Sequence, residues 1–302
     1  MPVATSERKR SIYRRDAADS AQRSRARSQS GREIGTIPAV GDLKARAQCR
    51  KSLQAFCEIC LPRRFYLGWS SNHLTAIKLL EECVLSNALL AYAMPRGSGK
   101  TTLVEAAALW ATLEGYHRFV TVIGATQSSS QTILDSWKVE RGMNEELAAL
   151  YPAVCYPFRA LEGEPRRAAG QLFHGSKTFI KWGEDEIGFA HIPGEPASGA
   201  RLVALPLTGS IRGLKRTLPD GTVLRPTLAI CDDPQTKASA HSPTQTQTRL
   251  ELIKADVMGM AGPEGMSAVV PCTVSCRDDL SDQLLNRQKH PEWRGYRTKL
   301  VD

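Results

Sequence analysis

No stretch of this 302-residue chain stays apolar for the ~18 residues that a membrane-spanning helix requires, and its basic N-terminus is not followed by an apolar signal core. Both absences argue against a membrane or secreted protein, and the expected location is the cytoplasm. Cysteine is sparse as well. Eight thiols in a chain this long are too dilute for a disulfide scaffold. Cys57 and Cys60 form a lone CxxC in a helix-like run, and only Cys272 and Cys276 offer a second pair, away from zinc-finger spacing. Buried thiols are therefore favoured over zinc. Surplus charge is scarce too, once the first fifty residues are set aside. They hold twelve Lys/Arg against five Asp/Glu, which is seven of the nine surplus positive charges. No internal repeat is visible.

What the chain does have is 42% apolar residues, ample for a buried core, and a clear patterning beyond the N-terminus. Residues 1–44 include "SERKRSIYRRDAADSAQRSRARSQSGRE", rich in Arg and Ser and too poor in large apolar groups to offset the entropy of ordering. The expectation is a disordered basic arm. It either neutralises nucleic-acid phosphates or is a solvated terminus; Glu7, Asp16 and Asp19 weigh against a transit peptide.

From Ala45 a single domain is expected to run to Asp302. "ARAQCRKSLQAFCEICL" and "HLTAIKLLEECVLS" carry apolar residues at helical spacing. "ALLAYAM", "RFVTVIGAT" and "PTLAICDDP" read as strands buried on both faces. A helix "TTLVEAAALWATLEG" should end at Gly115, and Thr126 should cap a long helix reaching about Ala149. Short strands are expected at "QLFHG", "KTFIKW", "ARLVALP" and "MSAVVPCTVS", and helices at "SPTQTQTRLELIKADVMG" and "RDDLSDQLLNRQ". Strands alternating with helices predict a mainly parallel α/β sheet flanked by helices.

The chemistry concentrates in "AYAMPRGSGKTTLVEAA". The general phosphate-loop pattern, Gly, any four residues, Gly-Lys-Ser/Thr, would put its first glycine where Met94 stands. The rest is intact. Gly97 and Gly99 permit the bends that turn successive N–H groups toward one anion at a helix start. Lys100 can reach the β and γ phosphates, and Thr101 can offer a hydroxyl to Mg²⁺. Arg96, Gly97, Ser98, Gly99, Lys100, Thr101 and Thr102 form the expected nucleotide-binding run. Asp232, at the carboxyl end of the "LAIC" strand, is the expected metal-side carboxylate, and Asp233 the group that orients or deprotonates an attacking water. Arg96 either stabilises charge at the γ-phosphate or points to solvent.

Taken together these motifs resemble the large subunit of the terminase, the DNA-packaging motor of tailed bacteriophages. The resemblance lies in the Arg-bearing, glycine-poor "PRGSGKTT", in "GSIRG" at 209–213, in "RPTLAICDDPQ" at 225–235 and in "SPTQTQTRLELI" after it. It implies an ASCE-type, RecA-like P-loop ATPase using ATP and Mg²⁺ to drive double-stranded DNA into a procapsid. The implied partners are DNA, a portal protein, a terminase small subunit and further copies of the chain in a ring. The implied roles are phosphate and Mg²⁺ binding for Lys100 and Thr101, the Walker B acid for Asp232, the catalytic carboxylate for Asp233 and the loop arginine for Arg96. Thr273, in "VVPCTVSCRDDL", matches the coupling segment, and His73, in "SSNHLTAI", stands near the adenine-side motif. Such subunits continue into a nuclease domain, expected to begin near "EWRGYRTKLVD", so no nuclease activity is expected of this chain. The alternatives are another nucleic-acid-stimulated P-loop ATPase, or a prophage remnant that binds nucleotide or DNA without turnover. A two-domain helicase would need a second RecA-like core, and a nucleotide kinase would need a lid.

Overall fold

The computed structural model describes residues 33–209 and 211–298, with Asp19, Ser20 and Gln22. Most of the expected arm therefore lies outside the described residues. Its described end, residues 33–42, is tied to the domain: Ile34 N–H donates to Leu172 O at 2.9 Å and Gly41 N–H to Ala149 O at 2.8 Å.

Capping residues set the helix boundaries. Asp42 accepts the Lys44 and Ala45 N–H groups to open α1 (Leu43–Lys51). Ser52, in extended backbone, closes α1, and its hydroxyl accepts Ala55 N–H to open α2 (Leu53–Cys60). The one helical run expected from Ala45 is thus two helices, because a side-chain cap competes with helix continuation there. Ser70 opens α3 (Ser71–Leu85). Then β1 (Leu89–Ala93), α4 (Lys100–Leu113) and β2 (Phe119–Gly124) follow as the pattern indicates. Thr126 caps α5 (Gln127–Met143) with a capping box, but the helix stops short of Ala149. Asn144 Oδ1 accepts Leu147 N–H and starts α6 (Glu145–Leu150), which is followed by α7 (Pro152–Arg159).

The irregular middle holds the hairpin β3 (Leu172–Phe173) and β4 (Ser176–Lys177), then β5 (Lys181–Trp182), β6 (Glu186–Gly188), β7 (Arg201–Pro206), β8 (Arg216–Thr217) and β9 (Val223–Leu224). Next come β10 (Leu228–Asp232), α8 (Lys237–Ala240) and α9 (Pro243–Glu251). The helix expected to continue from α9 instead widens into a π-helical stretch, Leu252–Val257, and a 3₁₀ turn, Met258–Met260. β11 (Ser267–Cys272), α10 (Leu280–Leu285) and β12 (Trp293–Arg297) complete the described chain.

Eight strands form one sheet in the order β12-β1-β11-β10-β2-β7-β6-β5. The run from β12 to β7 is parallel; β5 and β6 join antiparallel. This is a mainly parallel α/β sheet flanked by helices, with one strand, β11, between the strand that feeds the glycine loop and the strand that ends in the acids. The residues "WRGYR", near the end of the expected domain, are the edge strand β12 paired with β1. Gly295 is required there, since a Cβ would meet Leu285 O at 2.7 Å.

Alternation along the strands divides the core. Leu90, Tyr92, Val120, Val122, Leu228 and Ile230 face α2 to α7. Ala91, Ala93, Ala229, Cys231, Val270 and Cys272 face the segment after α9 and α10 on the other side. Buried apolar surface on both faces explains the near-continuous apolar strands. It also keeps the two cysteine pairs apart, with Cys57 and Cys60 in the first core and Cys272 in the second.

Candidate nucleotide site

Parallel strands deliver their carboxyl ends to one edge of the sheet, and that edge gathers the sequence-predicted residues. β1 leaves the sheet at Met94, and the loop Pro95–Gly99 turns into α4 at Lys100. Both Gly97 (φ 79°) and Gly99 (φ 77°) lie in the left-handed region, where a side chain would be strained. Neither has an atom within 4 Å of where a Cβ would stand, so the glycines serve the backbone turn and leave space in front of it. Tyr92, missed from the sequence, donates its hydroxyl to Lys100 O at 2.7 Å and anchors the first turn of α4 from the sheet.

Lys100 is largely buried at the helix start. Next to it Thr101 Oγ1 donates to Asp232 Oδ1 at 3.0 Å. Residues 131 positions apart are joined because α4 packs back over β11 and β10. Burial pushes the Asp232 carboxyl up to about 6; the Thr101 hydrogen bond opposes it and the neighbouring Asp233 adds to it. Asp233 is also raised by burial, with Lys100 and Arg96 opposing. Its φ of 41° is rare for a residue with a side chain, and its N–H is held by Pro271 O at 3.1 Å. Arg96 itself is exposed.

Behind the acids Gln235 forms an unexpected node. Its buried amide Nε2 lies 3.1 Å from Thr273 O, 3.1 Å from Asp279 Oδ2 and 2.9 Å from Ser281 Oγ, while its Oε1 accepts Leu280 N–H. Thr273 is thus linked to the acidic loop through its backbone. Its own buried hydroxyl has no hydrogen-bond partner among the described residues, and neither has that of Ser98.

On the other side of the loop, His73 joins Ser70 Oγ (2.7 Å) through Nδ1 and Ser98 O (2.8 Å) through Nε2. A cavity of about 210 Å³ opens there, lined by Phe65, Trp69 and His73 together with Gly97, Ser98 and Thr102. Phe65 and Trp69 rings stand 5.2 Å apart. Arg64, which also lines it, is paired with Glu105 of α4. No spacing in the sequence singles out Phe65, Trp69 or Arg64, because they come from an irregular segment between α2 and α3.

No protein-family model matches the chain, and no curated protein matches its sequence. Among solved structures it is similar to a mutant of the ATPase domain of the large terminase of Thermus phage P74-26. The two share 12% identity, with 78% of this chain and 84% of that chain covered, at a TM-score of 0.47.

Proposed function

We propose that this chain is a Mg²⁺-dependent P-loop ATPase whose hydrolysis drives double-stranded DNA, as in terminase-type packaging. The observation that carries the ATPase part is the Thr101–Asp232 hydrogen bond at 3.0 Å, at the start of the helix that the glycine loop opens. A threonine hydroxyl and a buried carboxylate held together beside Lys100 are the donor set that an octahedral, water-rich Mg²⁺ accepts. The unpartnered Ser98 hydroxyl and the open space before Gly97 and Gly99 likewise suit phosphate oxygens. Mg²⁺, when bound, supplies positive charge against the phosphate oxygens.

The chain's own groups divide the remaining work. Backbone N–H groups from Gly97 onward hold phosphate; Pro95 has no N–H to give. Lys100 and the N-terminal end of α4 contribute positive potential. Asp233, raised by burial, is placed to orient a water and to accept its proton. Arg96 stabilises charge that grows on the transferred group. The Phe65, Trp69 and His73 cavity receives the base, with Thr102 at its wall. Thr273, joined to the acids' loop through Gln235, couples the state of the site to α10. The DNA, the portal, the small subunit and a ring of copies belong to the packaging part of this reading, which rests on the motif order from "PRGSGKTT" to "CDDPQ".

The test is ATP hydrolysis with and without double-stranded DNA. Lys100→Ala should lower turnover by roughly 10²-fold or more, and duplex DNA should stimulate the unaltered chain. Equal hydrolysis by both proteins would sink the ATPase reading. Hydrolysis indifferent to DNA would sink the packaging part alone.

A further inference from the structure

Far along the sheet from the phosphate loop, a second set of cations converges. Strand pairing aligns Lys181, Gly188 and Arg201 in one row across β5, β6 and β7. Gly188 is there for space: a Cβ would stand 1.4 Å from Arg201 Nη1 and 3.0 Å from Lys181 Cβ. The missing side chain lets the Arg201 guanidinium lie flat across β6. Arg216, from β8, and Lys177, from β4, line the same cavity of about 330 Å³.

One carboxylate faces these four cations. Glu186 accepts Lys181 Nζ at 2.7 Å, Arg216 Nε at 3.1 Å and Arg216 Nη2 at 2.8 Å. Oε2 thereby takes both partners, and Oε1 shares the Arg216 Nε–H. Arg201 Nε reaches it only at 3.9 Å, and Arg201 Nη1, on a side chain 10% exposed, has no hydrogen-bond partner among the described residues. Burial also lowers the Arg201 guanidinium from its ordinary value. A buried donor without a partner is expensive to leave unanswered, and an anion would answer it.

We propose that this pocket binds a phosphate group, held by Arg201, Arg216, Lys181 and Lys177. The unpaired Arg201 guanidinium, with Lys177 beside it and Arg216 and Lys181 held close by Glu186, matches a multiply charged, multi-oxygen anion better than a single carboxylate. Arg201 opens β7, so it stands at the amino edge of the parallel strands, whereas the nucleotide loop stands at the carboxyl edge, and β11, β10 and β2 separate the two strands. The pocket is a second site. The phosphate comes from a DNA backbone or from free phosphate, and only the DNA source rests on the packaging reading.

Amide and guanidinium ¹⁵N shifts of Gly188 and Arg201 test the assignment in the full chain carrying Lys100→Ala, which weakens phosphate binding at the nucleotide loop. Inorganic phosphate should move both signals saturably, and Arg201→Gln should weaken that response by about tenfold. If Arg201→Gln does not fold, Lys177→Gln, at an exposed position, should weaken it by about threefold. A short DNA duplex that moves the same signals identifies the backbone as the source, and a response to phosphate alone identifies free phosphate. Signals unmoved by both probes, or affinity for phosphate unchanged in the variant, overturn the proposal. So does a polyglutamate peptide that binds there more tightly than phosphate. Because shifts are read rather than turnover, an inactive ATPase would leave the phosphate result standing.

Discussion

Arg96 and Arg141 show how differently one residue type is used. Arg96 is exposed at the mouth of the loop and acts on Asp233 through its charge. If it stabilises the transition state, Arg96→Ala should lower kcat by about tenfold or more and change the KM for ATP much less; steady-state kinetics over an ATP series check this. Arg141 is fully buried, its guanidinium 4.8 Å from the Phe158 ring centroid and 4.9 Å from that of Phe189. None of its side-chain nitrogens has a hydrogen-bond partner among the described residues, and burial pushes its ionisation down to about 9. Cation–π contact offsets only part of that desolvation. Arg141→Met, similar in volume and free of charge, should raise stability by about 1 kcal/mol or more in urea unfolding; a loss of stability would mean that the ring contacts outweigh burial. The sequence offered no hint of Arg141, since a Lys/Arg on a long helix reads as solvated. It offered Lys100, Thr101 and Asp232 readily, because a glycine loop and a strand-terminal acid are local patterns.

At the scale of elements, the buried parallel strands were legible, and helix ends were legible where a threonine or glycine marks them, as at Thr126 and Gly115, but not at Ser52 and Asn144. Buried parallel strands need apolar residues on both faces, so β1, β2, β7, β10 and β11 stand out of the sequence. Helix breaks at Ser52 and Asn144 depend on one polar side chain turning back to cap, which apolar periodicity cannot register. Asn144 also donates to Cys60 O and Glu140 Oε2, both at 2.7 Å. Asn144→Ala should therefore destabilise the fold by about 1 kcal/mol or more, read as a lower midpoint in chemical denaturation with an unchanged slope. β12 was missed because an edge strand is half solvated: only Trp293 of its five residues is buried, and a glycine, a tyrosine and two arginines fill the rest.

For the whole molecule, pH acts through buried groups spread over the domain. His117, between Val84 O at 2.8 Å and Thr227 Oγ1 at 3.0 Å, is held below its ordinary 6.5 by burial, against the Val84 bond. His191 and His290 are lowered by burial as well. For such groups the unfolded chain takes up protons first, so their contribution is complete above 6.5 and is lost as pH falls below it. Asp232, raised from 3.8 to about 6, works in the opposite sense: its folded form gains the proton first, so stability rises as pH falls through about 6 toward 3.8. Thermal midpoints should accordingly fall between pH 7.5 and 6, and the fall should shrink in His117→Gln; an equal fall in both proteins would count against His117. By itself the sequence determined the α/β class, the glycine loop before α4 and the strand-end acids, because each is written in consecutive residues whose local geometry and burial follow from their own chemistry. Only the tertiary structure decided that Thr101 meets Asp232, that Gln235 joins Thr273 to α10, that β12 closes the sheet edge and that Arg201 lies over Gly188. These depend on strand order and register, which bring together residues far apart in the chain and which no local pattern encodes.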